Sequence, residues 1–291
     1  MSGHKIKICF FIYSLEGGGA ERVALYLLNH LTPDIFEKYL ILFTKTGLSL
    51  KDLDPAISVF ELDIHCKSAY AIPSISKFFK YLGMLKRINP DIVLSFPRFP
   101  NLLTVTAKII GRFKSATVIT EHTVLSLYLK EDKLSCIKKF LFTLLYPRAD
   151  LIIAVSNGVK KDLQENLHIP AQKIKVIYNP IDLNYIASLA KKSTPLENMG
   201  RGPIVISVGR LVKVKNYFCA LRAMHRIKDK ISSYFILGDG PQREDILKFI
   251  KESHLEDKVH LLGSQENPFG YLSCADIFLL SSSFEGFLLR E

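Results

Sequence analysis

Three loops of this sequence hold residues whose types and spacing could do chemistry. Gly17-Gly18-Gly19 follows an apolar run and precedes an amphipathic one. Glycines there let backbone amides approach an anion or a sugar at a helix amino terminus. The alternative is a tight strand–helix turn without a ligand. Val208-Gly209-Arg210-Leu211 closes another apolar run, and Lys213, Lys215 and Asn216 follow. Cations in a loop that opens a helix suit a diphosphate, because arginine grips two phosphate oxygens and lysine supplies a point charge. A solvated basic loop is the alternative, although Arg210 follows its apolar run directly. The third loop is Ser281-Ser282-Ser283-Phe284-Glu285-Gly286-Phe287. Its small polar residues permit close approach. Glu285 could accept hydrogen bonds from sugar hydroxyls, or simply sit at a helix start where the dipole favours a carboxylate. Gly238-Asp239-Gly240-Pro241 is, alone, a turn of weak specificity.

Other chemistries are poorly served. Gly17-x-Gly19-x-x-Arg22 lacks the third glycine of a dinucleotide fingerprint, and no phosphate-binding G-x-x-x-x-G-K-[ST] occurs. Asp52-Leu53-Asp54 has the D-x-D form of a metal-dependent transferase, but no apolar strand precedes it and Pro55 follows, so a solvated loop is the better reading. Glycoside hydrolysis needs two paired carboxylates, and the loop ends offer Glu285 and little else. The 5 cysteines include no C-x-x-C, which argues against a zinc site or a disulfide framework and for a reducing compartment. No zinc spacing, aromatic RNA-binding motif or tryptophan supports nucleic-acid binding. No apolar run reaches the ~18 residues of a membrane span, and Ile8–Tyr13 is too short for a signal peptide core. The expectation is a cytoplasmic protein, with peripheral attachment to the inner face of the cell membrane left open.

The elements that must position these loops alternate between short apolar runs and amphipathic stretches. The spacing predicts strands at 5–13, 39–43, 57–62, 91–95, 116–120, 150–155 and 173–178. Helices are expected at 20–31, 74–87, 101–110, 134–146 and 158–166, the last capped by Ser156. Turn formers then mark a linker over 181–202. A second series follows, with strands at 204–208, 234–237, 258–261 and 276–280 and helices at 217–227, 242–251 and 268–273. Alternation of this kind means parallel sheets with crossover helices. The expected architecture is α/β: two doubly wound Rossmann-like domains, 1–180 and 203–291, facing a cleft. Ligands of such sheets bind beyond the strand carboxyl ends.

Charge is uneven. The net is +11, and residues 64–148 hold 14 bases against 4 acids. That asymmetry fits an anionic partner, such as a membrane surface, or a solvated basic face. Residues 133–146 sharpen the membrane reading. Leu134, Ile137, Leu141, Leu144 and Leu145 follow helical spacing, with Lys133, Lys138 and Lys139 near the start. A crossover helix packed on the sheet is the alternative.

Seven motifs occur in order along nearly the whole chain: Gly-Gly-Gly-Ala-Glu-Arg (17–22), Glu-His-Thr (121–123), Ala-Val-Ser-Asn-Gly-Val (154–159), Val-Ile-Tyr-Asn-Pro-Ile-Asp (176–182), Val-Gly-Arg-Leu (208–211) with Lys215-Asn216, Gly-Asp-Gly-Pro (238–241) and Ser-Phe-Glu-Gly-Phe (283–287). Together they resemble glycosyltransferase family 4. The resemblance implies the GT-B fold and transfer of a sugar from a nucleotide-sugar donor, with retention, to a glycan or polyprenyl-linked acceptor in cell-surface polysaccharide or lipopolysaccharide synthesis. By that resemblance, Arg210 and Lys215 match the pair that holds the donor diphosphate and stabilises the leaving group, a task needing no metal or other cofactor. Glu285 matches the glutamate that contacts the donor sugar. The amides of Gly286 and Phe287 would face the phosphates, and Gly17, Gly18 and Gly19 would line the cleft. His122 matches a histidine near the transferred sugar, or is simply hydrogen-bonded at a strand end. The family's second glutamate stands eight residues after the first, beyond Glu291, and Leu288-Leu289-Arg290-Glu291 departs from its usual Gly-Leu-Pro-Val. The expectation is therefore a carboxyl-terminally truncated member with an incomplete second domain and impaired donor binding, or a non-catalytic remnant.

Overall fold

The computed structural model describes residues 5–16, 18–63, 75–130, 135–191 and 202–283. The chain separates into two compact units, Met1–Pro180 and Ile181–Glu285. In the first, seven parallel strands run in the order β3-β2-β1-β4-β5-β6-β7. They are β1 (Ile6–Ile12), β2 (Phe36–Leu42), β3 (Ser58–Glu61), β4 (Ile92–Ser95), β5 (Ala116–Glu121), β6 (Leu151–Ala154) and β7 (Ile174–Val176). The strand order reverses direction at β1. Right-handed crossovers therefore place α1 (Gly19–His30) on one face and α2 (Ile75–Ile88), α3 (Phe99–Gly111), α5 (Ser135–Leu145) and α6 (Asn157–Glu165) on the other.

The alternation of β1 shows the two faces directly. Ile8, Phe10 and Ile12 join Ala24 and Leu28 of α1, whereas Cys9 and Phe11 join Tyr81, Leu82 and Leu85 of α2. Each fully buried side chain of this size contributes about 1.5–3 kcal/mol through area removed from water. The third cluster gathers Val105 of α3, Phe142 of α5 and Val159 and Leu163 of α6 over Ile119, Ile152 and Ala154. Ser156 caps α6 as its sequence promised, accepting from the Val159 amide at 3.2 Å.

The second unit has four parallel strands in the order β10-β9-β8-β11. These are β8 (Ile204–Val208), β9 (Ser233–Leu237), β10 (Val259–Gly263) and β11 (Ile277–Phe278). One face packs on α8 (Tyr217–Arg226) and α9 (Arg243–Glu252) through Leu221, Met224, Ile246 and Ile250. The other carries Phe235 and Leu237 against Tyr271 and Leu272 of α10 (Pro268–Ser273).

Several sequence expectations change. The stretch expected as linker opens with a helix, α7 (Leu183–Ala190), capped by Asp182 and tied to α10 by Asn267 Nδ2 donating to the Leu189 carbonyl at 2.9 Å. Leu183 is 73% exposed, and the turn formers that follow the helix drew the whole stretch into the expected linker. A six-residue helix, α4 (Leu125–Lys130), also escaped, being too short for periodicity. The apolar stripe expected on α5 divides. Leu141 and Leu145 pack inward beside buried Phe142, while Ile137, Phe140 and Leu144 face solvent. Leu134 and Lys133 lie outside the described residues. Asp54 of the D-x-D sequence ion-pairs with Lys38 at 3.5 Å, and its amide donates to Asn29.

Candidate functional site

The carboxyl end of β5 carries Thr120-Glu121-His122-Thr123, where the sheet hands the chain to a loop. Glu121 is fully buried and held by donors from three directions. It accepts from the Tyr146 hydroxyl at 2.8 Å, the Thr123 hydroxyl at 3.2 Å and the His122 amide at 3.3 Å. Asn101, at the start of α3, donates to the Tyr146 hydroxyl at 3.2 Å and the Thr120 carbonyl at 2.8 Å. Ser95 at the end of β4 donates to Asn101 Oδ1 at 2.7 Å. Four elements thus converge on one buried carboxylate. Such a network is stiff when its members are satisfied.

Arg98 supplies the cation. Its backbone lies at φ +63° and ψ −103°, a sparsely populated conformation that costs about 1–3 kcal/mol, and its guanidinium stacks 4.1 Å from the Tyr128 ring centroid. Burial lifts the Glu121 pKa above the ordinary carboxylate value, while Arg98 and the donated hydrogen bonds pull it back. Burial also raises Tyr146 well above its usual value, with adjacent Glu121 adding to the effect. For His122, burial first and the Arg98 charge second lower the pKa to about 4. The imidazole is therefore neutral at pH 7. Its Nε2 lies 3.1 Å from Thr120 Oγ1, and its ring centroid lies 5.7 Å from that of Phe96. His122 Nδ1 and Arg98 Nε are buried with no partner among the described residues. Perturbed groups gathered at a strand end, beside a strained backbone, are the physical marks of a working site.

The glycine-rich loop lies on the same strand-end edge, after β1. Gly17 falls outside the described residues. The Gly18 amide donates to Glu21 Oε2 at 3.0 Å, fixing the start of α1. Gly18 has φ −64°, so no left-handed turn explains it, and a Cβ on Gly19 would meet nothing within 4 Å. The bare backbone is thus not consumed by internal packing. Gly47 does serve packing: at φ +124°, its Cβ would stand 2.1 Å from the Leu15 carbonyl oxygen.

In the second unit the strand order reverses at β8, between β9 and β11, and the loops after β8 and β11 flank that switch point. The backbone there is held by glycines. A Cβ on Gly238, at φ +141°, would lie 2.0 Å from the Gly209 carbonyl oxygen. One on Gly240, at φ +159°, would lie 2.5 Å from that of Leu211. Tyr217 donates its hydroxyl to the Gly209 carbonyl at 2.9 Å, and Ser281 donates to the Lys215 carbonyl at 2.8 Å. The Ser283 amide donates to Val214 at 2.8 Å. Asn216, at φ +50°, turns the chain into α8. Arg210 is exposed at the mouth of this loop, and the half-buried Lys215 stem runs beside Gly209. The two cations therefore share one loop. Glu285, Gly286 and Phe287 lie outside the described residues.

Sequence reasoning singled out His122 but missed its setting. Ser95, Arg98, Asn101, Thr120 and Tyr146 had no motif to mark them. Glu121 was present only as a neighbour within Glu-His-Thr.

Comparison with known proteins adds a family frame. Residues 17–185 match the family model described as Glycosyltransferase Family 4, and residues 191–289 match that described as Glycosyl transferases group 1. The chain is 37% identical to the N-acetylgalactosamine-N,N'-diacetylbacillosaminyl-diphospho-undecaprenol 4-alpha-N-acetylgalactosaminyltransferase of Campylobacter jejuni, over 97% of this chain and 76% of that protein. It is 26% identical to the UDP-Gal:alpha-D-GlcNAc-diphosphoundecaprenol alpha-1,3-galactosyltransferase of Escherichia coli, over 97% of this chain and 75% of that one. Anabaena HepE, solved with UDP and glucose, superposes with a TM-score of 0.74 at 18% identity, covering 95% of this chain and 74% of HepE. That likeness concerns the fold, which is that of GT-B glycosyltransferases.

Proposed function

We infer the substrates from one premise: this chain belongs to glycosyltransferase family 4 and is a glycosyltransferase. The donor is a nucleotide sugar, and the acceptor is a glycan carried on a polyprenyl diphosphate. One observation carries the donor reading. A loop held by Gly209, Gly238 and Gly240 presents Arg210 and Lys215 at the switch point of the four-stranded sheet. Two cations there would bind the diphosphate and take up the charge that develops on the nucleoside diphosphate as it leaves. Glu285 would contact the donor sugar, with the Gly286 and Phe287 amides on the phosphates. Gly17, Gly18 and Gly19 would leave room for the reacting sugars, and His122 would touch the transferred one.

The acceptor reading rests on the two relatives, both named for sugars on diphosphoundecaprenol and for α linkages. Transfer from an α-linked nucleotide sugar to an α product is retention. A lipid-linked acceptor also calls for contact with a membrane at the cytoplasmic side. The outer side of α5 suits that contact, with Ile137 60%, Phe140 64% and Leu144 45% exposed beside Lys138 and Lys139. Apolar side chains with neighbouring bases bind anionic bilayers.

The test is direct. The protein is incubated with UDP- and GDP-sugars and a short polyprenyl-diphosphate glycan, and the product is read by mass and by the anomeric proton couplings. A one-sugar mass gain with an α anomer is expected. No transfer from any donor, with a relative active in parallel, would sink the reading. Co-sedimentation tests the membrane part separately. Anionic vesicles should retain the protein, and ~0.5 M salt should release most of it by screening. Indifference to anionic vesicles at low salt would point to a soluble acceptor.

A further inference from the structure

Thr120 stands between His122 and the backbone of β4. Its Oγ1 lies 3.0 Å from the Ser95 carbonyl oxygen and 3.1 Å from His122 Nε2. A carbonyl oxygen can only accept, so the single hydroxyl proton of Thr120 belongs to the Ser95 bond. The hydroxyl oxygen is then left to accept, and the group facing it is the imidazole. The opposite arrangement has the hydroxyl donating to Nε2 and the ring proton on Nδ1. It takes this donor away from Ser95 and creates an N–H at an atom that is buried with no partner among the described residues. Orphaned buried N–H groups are among the rarest defects in folded proteins, rarer than an unused acceptor. Counting partners therefore selects one tautomer.

We infer that Thr120 is a positioning residue that fixes His122 as its Nε2–H tautomer, leaving Nδ1 as a hydrogen-bond acceptor. The consequence is chemical. An imidazole in this form pairs through Nδ1 with a group that donates, such as a sugar hydroxyl, and not with a phosphate oxygen or a carbonyl. Burial and the Arg98 charge, which keep the ring neutral, act in the same sense. The link to turnover rests on His122 lying beside the transferred sugar. The tautomer itself does not.

Long-range proton–nitrogen spectroscopy of histidine-labelled protein tests it, with His122 assigned by its absence from the spectrum of His122→Gln. The wild type should show a protonated Nε2 and a bare Nδ1 at neutral pH. Thr120→Val should lose that fixed tautomer, and Thr120→Ser should keep it. In the transfer assay, Thr120→Val should lower kcat on the order of 10-fold through misplacement of the ring. Nucleoside-diphosphate affinity should stay unchanged, and Thr120→Ser should recover most of the loss. A protonated Nδ1 in the wild type overturns the proposal, as does an unaltered tautomer in Thr120→Val. A shifted tautomer with unchanged kcat overturns the positioning role. Failure to transfer any sugar falls on the proposed function instead, because the spectrum needs no substrate.

Discussion

The two strand-end regions are built by opposite means. In the seven-stranded unit, the loop after β5 is held by side chains: a buried carboxylate, a tyrosine, an asparagine and a serine satisfy one another while Arg98 sets the local charge. In the four-stranded unit, the loop after β8 is held mainly through its backbone, with glycines closing on carbonyl oxygens and other carbonyls accepting from Tyr217 and Ser281, which leaves Arg210 exposed and Lys215 half-buried. The first design stiffens and neutralises, which suits reading an uncharged sugar. The second puts charge in the open on a rigid frame, which suits meeting a diphosphate. The regions should therefore fail differently when altered.

The largest effect is expected at the backbone-built loop. Gly238→Ala adds a Cβ 2.0 Å from a carbonyl oxygen at a φ of +141°. Something must move, and a loss of about 4 kcal/mol or more is expected, read from urea unfolding midpoints or, if severe, from the absence of folded protein. A loss under about 1 kcal/mol would show that this close approach does not hold the loop.

Next comes the pH response of the side-chain-built region. His122 titrates near 4 when folded, against 6.5 for the free side chain. The unfolded chain therefore binds more protons across that interval, so this contribution is fully present above pH 6.5 and is lost as pH falls towards 4. The upper bound is about 3 kcal/mol. Glu121, with its raised value, works in the opposite sense, favouring the fold as pH falls. Comparing wild type with His122→Gln separates the two. Between pH 7 and 4.5 the wild type should lose more stability than the variant, and equal losses would show that His122 is not held neutral by the fold.

The smallest effect on folding, but not on binding, should come from the loop cations, above all exposed Arg210. Arg210→Ala should change stability by no more than about 0.5 kcal/mol. Arg210→Ala and Lys215→Ala should each weaken UDP or GDP binding by about 1.5–3 kcal/mol, the range for charge-assisted hydrogen bonds. Calorimetric titrations that give wild-type affinity for both variants would remove the pair from the donor site and with it the contrast drawn above.

These contrasts bear on how much of the molecule was legible beforehand. Arg210 and Lys215 stood out because the reasons for noticing them are local: a glycine and cations between the end of an apolar run and the start of a helix. The glycine role was only half legible. Gly238 was read as part of a weak turn, yet its conformation is demanded by Gly209, which lies on a different strand's end. The Glu121 network was not legible at all. Asn101 and Tyr146 are 45 positions apart and read as the beginning and end of helices.

The sequence by itself determined the alternation of strands and helices, the split into two parallel sheets, and the family. The first two follow from the face each side chain must present within one element and from turn formers between elements, while the family was carried by the resemblance of seven motifs in order. Tertiary structure decided which polar groups meet. The order β1-β4-β5-β6 brings the ends of four strands together, although loops and helices separate them in the chain. Only when those ends converge does the Ser95 carbonyl find Thr120, whereas the contact of Thr120 with His122, two residues on, is local to one strand end. Hydrogen bonds act over about 3 Å and leave no periodic trace in the sequence.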